Sequence, residues 1–194
     1  MPQTLLLLIT QASRQGRNMP KSLPPISPPT SDQYHQYYGD YVGKVGENVL
    51  QELADQPDEL KKLLGNLEKD QVNCLHEPYA WTLKQLVGHL IDCERAFGSR
   101  VFRIAVGDST PIPGIDQNMY VENLDYETVS MKSLLKEFRQ LRKSHVLMVQ
   151  RLRLDSLDNV GIASDYPVSA KANLFIMVGH VAHHLEIIRA RLGL

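Results

Sequence analysis

Little in this chain suits it to a disulfide scaffold, a membrane or a nucleic acid. It has only two cysteines, Cys74 and Cys93, too far apart for any C-x-x-C pair. That argues against a disulfide framework or zinc ribbon and fits a reducing compartment, so a cytoplasmic protein is expected. Charge of one sign is also lacking. Lys plus Arg is 21 and Asp plus Glu is 22, a formal net charge of −1, and nothing in that balance calls for nucleic acid. No apolar run approaches the roughly 20 residues of a membrane-spanning helix. The run Leu5 to Ile9 is short even for the apolar part of a signal peptide. Neither a membrane nor a nucleic-acid partner is expected.

Several catalytic signatures are missing as well. No glycine-rich phosphate loop occurs, and the glycines of residues 39–46 have the wrong spacing for a dinucleotide fingerprint. The H-E-x-x-H motif fails because Val181 follows His180. The Glu-x-x-His pairs of di-iron bundles fail because Met177 precedes His180 by three and Leu86 precedes His89 by three.

The 194 residues, 43% apolar and 22% charged, suit one globular domain. Pro20, Pro24, Pro25, Pro28 and Pro29 interrupt helix and sheet alike. Residues 1–33 therefore read as a flexible, proline-rich extension, with Met19 an alternative start, and residues 34–194 as the domain. Tyr34, Tyr37, Tyr38 and Tyr41 form an aromatic cluster expected to pack on that domain rather than to make a binding platform.

Four helices are expected. Apolar spacing from Glu47 to Leu67 gives the first, with Pro57 kinking it or dividing it in two. The second begins with a capping box, Thr82 with Gln85, and a hydrophobic staple of Trp81 and Leu86. It runs to about Val106, with Arg100 and Arg103 near the negative end of its dipole and Gly107 as its stop. Asp108 to Asn123 reads as a long loop, of a length often functional. The third helix spans about Ser130 to Leu154. The fourth starts at Ser169 and ends at Gly193. No strand pattern is evident, so the fold class is all-α, a four-helix bundle.

Chemistry concentrates in the last helix. From Ala172 to Leu185 there is no Asp, Glu, Lys or Arg, yet His180, His183 and His184 fall within five positions. Unsatisfied polar groups in apolar surroundings cost about 1–3 kcal/mol each. Residues four apart share a helix face, so His180 and His184 can address one ion; His180 with His183 is also possible by spacing. His89, in the apolar part of the second helix, can supply a third imidazole and leave coordination positions open. Such nitrogen donors suit Zn²⁺, Ni²⁺, Fe²⁺ or Co²⁺ rather than Ca²⁺ or Mg²⁺. Cys93, one turn past His89, reads first as a buried packing residue, with ligand or reactive thiol as alternatives. His35, His76 and His145 read as structural or surface residues.

Three segments together resemble the DinB-like superfamily, the metalloprotein family that includes YfiT-type proteins and is distinct from the DNA polymerase sharing the name. They are Trp81-Thr82-Leu83-Lys84-Gln85-Leu86-Val87-Gly88-His89-Leu90-Ile91-Asp92-Cys93-Glu94-Arg95, Pro113-Gly114-Ile115-Asp116-Gln117-Asn118-Met119-Tyr120 and Gly179-His180-Val181-Ala182-His183-His184-Leu185. The resemblance covers roughly residues 35 to 194. It implies an up-down-down-up bundle, metal ligands His89, His180 and His184 with His183 outside the set, a divalent metal ion (Zn, Ni or Fe), and a homodimer. It further implies a small-molecule substrate and either thiol S-transfer, with a low-molecular-weight thiol as partner, or hydrolysis; a non-catalytic metal-binding stress protein is the alternative. Asp92, Asp116 and Tyr120 are the candidates for catalytic or substrate-orienting roles.

Overall fold

A computed structural model describes residues 25–194. The Leu5–Ile9 run, Met19 and Pro20 lie outside the described residues. Packing begins before residue 34: Ile26 is buried in the core, and Thr30 and Gln33 form a reciprocal cap on a single 3-10 turn, Ser31–Gln33.

Seven helices follow: α1 (Gly39–Gly43), α2 (Val49–Leu64), α3 (Lys69–Asn73), α4 (Leu83–Ala105), α5 (Gln117–Asn123), α6 (Met131–Val149) and α7 (Ala170–Leu192). The four long ones, α2, α4, α6 and α7, make the bundle. Thr82 accepts from Gln85 N while Gln85 reaches back to Thr82 N, starting α4 as the sequence predicts. Ser130 and Ser169 cap α6 and α7, and Gly193 ends α7 at a φ of 69°.

Three expectations are corrected. α2 is one helix through Pro57 rather than two. The lost backbone bond costs about 3 kcal/mol, but Leu53, Leu60 and Leu64 are fully buried on the same helix and contribute about 1.5–3 kcal/mol each. The Asp108–Asn123 loop ends in helix α5, whose N-cap is Asp116. A β-hairpin also occurs, β1 (Val160–Ala163) with β2 (Tyr166–Ser169). Its turn residues Ser164 and Asp165 both take positive φ, 51° and 68°, without the glycine that usually announces such a turn. The α4–α5 connection is pinned to this hairpin through Ile112, which donates to Ile162 O and accepts from Ser164 N.

Two apolar clusters establish the helix directions. One holds Val49 and Leu53 of α2, Phe97 to Ala105 of α4, Val149 of α6 and the start of α7. The other holds Leu60 and Leu64, Leu83 to Ile91, Met131 to Phe138, and Val181 to Ile188. Hence α2 and α7 run one way and α4 and α6 the other, an up-down-down-up bundle in which α4 packs against both α6 and α7.

Between the clusters lies a polar waist. Arg142 and Glu94, each 1% exposed at the side chain, pair at 2.9 Å. His145 Nδ1 lies 2.7 Å from the other Glu94 oxygen. Arg142 also donates to Gln56 Oε1 and to Met177 O, and Gln56 donates to Val178 O. All four bundle helices thus meet in one network.

Candidate metal centre

His89 enters from α4 and His180 and His184 from α7. Their Nε2 atoms converge: His89 to His180 is 3.1 Å and His180 to His184 is 3.2 Å. Two glycines allow the surroundings to close. A Cβ on Gly179 would stand 1.8 Å from Tyr41 O, so only glycine lets α1 lie against α7 there. Tyr41 consequently meets the rings of His180 and His183, at centroid distances of 5.5 and 5.4 Å. A Cβ on Gly88 would strike the Tyr126 ring. Trp81, expected as a staple, also lies against the His89 ring at 4.9 Å.

Burial is the leading cause of every imidazole shift. It pushes His89 down to about 4 and His184 to about 3, and holds His180 well below its ordinary value. The rings are therefore neutral at pH 7, with a lone pair available for a cation.

These residues fit a divalent ion. Two nitrogens bound to one tetrahedral zinc stand about 3.3 Å apart, close to both observed separations. His184 turns Nε2 toward His180, while its Nδ1 is buried with no partner among the described residues. Cys93 Sγ lies 3.6 Å from His89 Nδ1 and 3.7 Å from its Nε2. His89, Cys93 and His180 are the set among the described residues whose three donor atoms all lie within 4.8 Å of one another, so Cys93 competes with His184 as the third donor. Burial pushes the Cys93 thiol up to about 12, so without a cation it stays protonated. The four-residue spacing from His89 places Cys93 on the same helix face, and this proximity favours the ligand alternative over the packing role that the sequence reading put first.

His183, by contrast, turns toward Tyr41 and a surface hollow with Lys44 and Glu186. The other candidates separate. Asp116 and Gln117 line a cavity of about 390 Å³ that also reaches His180, Cys93, Phe97 and Arg100. Asp116 Oδ1 caps α5 through Asn118 N and Met119 N. Asp92 instead accepts from Tyr126 Oη and pairs with Arg95, and Tyr120 is half-buried on α5 outside that lining. Tyr37, Tyr38 and Tyr41, expected only to pack, form one wall of the cavity.

An up-down-down-up helical bundle with buried, convergent histidines beside a small polar cavity defines a class of bundle protein equipped to hold a divalent ion. The sequence profile of the DinB superfamily matches residues 52–188, and the chain belongs to that superfamily. A Bacillus cereus protein named "Putative metal-dependent hydrolase" is 25% identical over 152 residues, covering 74% of this chain and 85% of its own. A Bacillus thuringiensis relative bearing the same designation has the same identity and coverage. Among solved structures, YfiT from Bacillus subtilis matches with a TM-score of 0.68 at 18% identity, over 85% of this chain and 93% of that one. Its description reads "a probable metal-dependent hydrolase with an unusual four-helix bundle topology". Among the described residues no helix is long and apolar enough to cross a membrane.

Proposed function

We propose that this protein is a metal-dependent hydrolase of a small molecule, with His89, His180 and His184 as the metal ligands. The observation that carries the reading is that His180 Nε2 stands 3.1 Å from His89 Nε2 and 3.2 Å from His184 Nε2, in rings that burial keeps neutral at pH 7. A divalent ion (Zn, Ni or Fe) held by these residues would supply Lewis-acid chemistry, lowering the pKa of a water or thiol and polarising a substrate oxygen. Tyr41 and Trp81 fix the planes of His180 and His89 and shield them from bulk water. Asp116 Oδ2, which has no protein donor among the described residues, stands on the cavity wall as the group able to take a proton from the nucleophile.

Metal analysis of untagged protein, wild type against His180→Ala, tests the donor set. The reading requires close to one equivalent in wild type and a large loss in the variant; less than about a tenth of an equivalent in wild type refutes it. Loading with Co²⁺ separates the two donor sets. An all-imidazole site shows no sulfur-to-cobalt charge-transfer band, whereas such a band, lost in Cys93→Ser, makes Cys93 a ligand. Metal-loaded protein is then assayed on small esters and amides, and in parallel with low-molecular-weight thiols and monochlorobimane. Turnover of the latter alone replaces hydrolysis by thiol S-transfer. Turnover of neither supports a non-catalytic metal protein.

A further inference from the structure

Four α4 residues, His89, Cys93, Phe97 and Arg100, follow the spacing i, i+4, i+8, i+11 and so form one stripe along the helix. The stripe starts at the histidine cluster. It ends at a cation that the proposed hydrolytic role leaves unused.

Arg100 is 3% exposed. Buried charges are ordinarily paired, and the equally buried Arg142 has Glu94. Among the described residues Arg100 has no carboxylate partner. It donates only from Nη2, to Pro113 O at 3.1 Å and Ser164 Oγ at 2.9 Å. A guanidinium carries five N–H donors, so Nε and Nη1 keep three with no protein acceptor, and the residue lines the same cavity as His180 and Cys93. Neither atom is shut away from solvent as an orphan, unlike His184 Nδ1. The group is also held in place. Pro113 belongs to the α4–α5 connection and Ser164 to the hairpin turn, and Ile112 bonds those two segments together.

We propose that Arg100, with the hydroxyl of Ser164, binds the carboxylate of a small carboxylate-bearing substrate whose reacting end lies at the histidines. This rests on the reading of the histidine cluster as the reactive centre. The charge favours a carboxylate over a phosphate: there is one cation and one hydroxyl, and Asp116 lines the same cavity. A dianion would meet too few donors and a nearby negative group. The distance limits substrate size. The Phe97 ring centroid lies 5.6 Å from Arg100 Cζ and 5.5 Å from the His180 ring centroid, so guanidinium and imidazole are separated by no more than the sum, about 11 Å. A cavity of about 390 Å³ between them admits a compact molecule, near the lower end for small-molecule sites. Phe97, between the two ends, offers an apolar face to the body of the ligand.

The test uses the full-length protein, metal-free and metal-loaded, titrated with benzoate and with the neutral isostere benzamide, binding being followed by NMR. Benzoate should bind saturably and shift the Arg100 Nε–H resonance, and benzamide should not. Arg100→Gln, with an unchanged circular-dichroism spectrum, should weaken benzoate about tenfold or more, as expected for loss of a charge-assisted hydrogen bond. Equal binding to wild type and Arg100→Gln overturns the proposal. Should Arg100→Gln not fold, the wild-type resonance decides: an Arg100 signal unmoved at saturating benzoate overturns it equally. Phenyl phosphate binding more tightly than benzoate overturns the choice of carboxylate. The histidine reading fails separately. If neither wild type nor His180→Ala retains metal while both bind benzoate through Arg100, the anion site stands and the metal-dependent role falls.

Discussion

Removing Glu94 should destabilise this protein more than removing almost any other surface or core carboxylate would. Arg142 is 1% exposed and has one anion to balance it, 2.9 Å away. Burial disfavours its charge and Glu94 is the chief force restoring it. In Glu94→Leu the guanidinium keeps only neutral partners, Gln56 Oε1 at 2.8 Å, Met177 O at 3.3 Å and the Phe138 ring at 5.0 Å. Breaking a buried pair in this way costs about 3–5 kcal/mol. For a chain of this length that is a fall in Tm of about 6–20 °C, at roughly 2–4 °C per kcal/mol. Urea unfolding of metal-free protein measures it. Adding Arg142→Met removes the orphaned charge and leaves only uncharged groups short of partners, chiefly Gln56 Oε1, for about 1–3 kcal/mol. The double variant should therefore be more stable than Glu94→Leu by about 2 kcal/mol. A single variant costing under about 1 kcal/mol, or a double variant worse than either single, would show that the waist is not held by a compensated buried charge. Divalent-ion affinity should fall in Glu94→Leu as well, because Arg142 already acts on His180 and would do so unbalanced.

Acidification should weaken the metal-free fold. The folded-state value of His89 is about 4 against 6.5 for the free side chain, so between those values the unfolded chain binds a proton that the folded chain refuses. Stability is thus lost as pH falls from 6.5 toward 4, by about 2 kcal/mol from His89 alone at pH 5; urea midpoints for wild type and His89→Gln at pH 7.5 and 5 should show a smaller loss in the variant, and identical losses would contradict the assignment. Gly179→Ala places a methyl 1.8 Å from Tyr41 O and should displace α1, costing about 1–3 kcal/mol and weakening metal binding, whereas Gly107→Ala, with open space around it, should leave metal binding intact. Thr82→Ala removes the α4 cap and should cost about 1 kcal/mol in thermal or chemical unfolding, with metal stoichiometry unchanged.

The starts of α4, α6 and α7 read clearly in the sequence, whereas α2 is not divided at Pro57 and α6 ends at Val149, short of the expected Leu154. Thr82, Ser130, Ser169 and Gly193 each end or begin a helix at the expected position, because a cap and a 3.6-residue apolar period are local properties. The hairpin was not legible. Its strands have four residues each, and Ser164–Asp165 takes a positive-φ turn through tertiary contacts rather than through glycine. The cavity was only half legible. His180 and His184 stand out by composition and spacing, but the role of Tyr41 depends on α1 lying against Gly179. Arg100, read as a partner for the helix dipole, turns out to bond Pro113 and Ser164, the latter 64 positions away. No linear pattern carries that information.

Because α4 and α6 run in the same direction, the chain between them must travel back along the bundle, and it does so in residues 106–130. That passage supplies Pro113 to Arg100 and Asp116 to the cavity wall, yet none of the three clustered imidazoles. Doubling the length of such a connection costs only about 0.6 kcal/mol in closure entropy. The histidines thus sit on the long helices, whereas part of the cavity wall comes from a connection that can change in length at little cost. A grafted crossover would alter the Asp116 wall and the Pro113 contact to Arg100, while the histidines, the waist and Arg100 itself stay on the bundle.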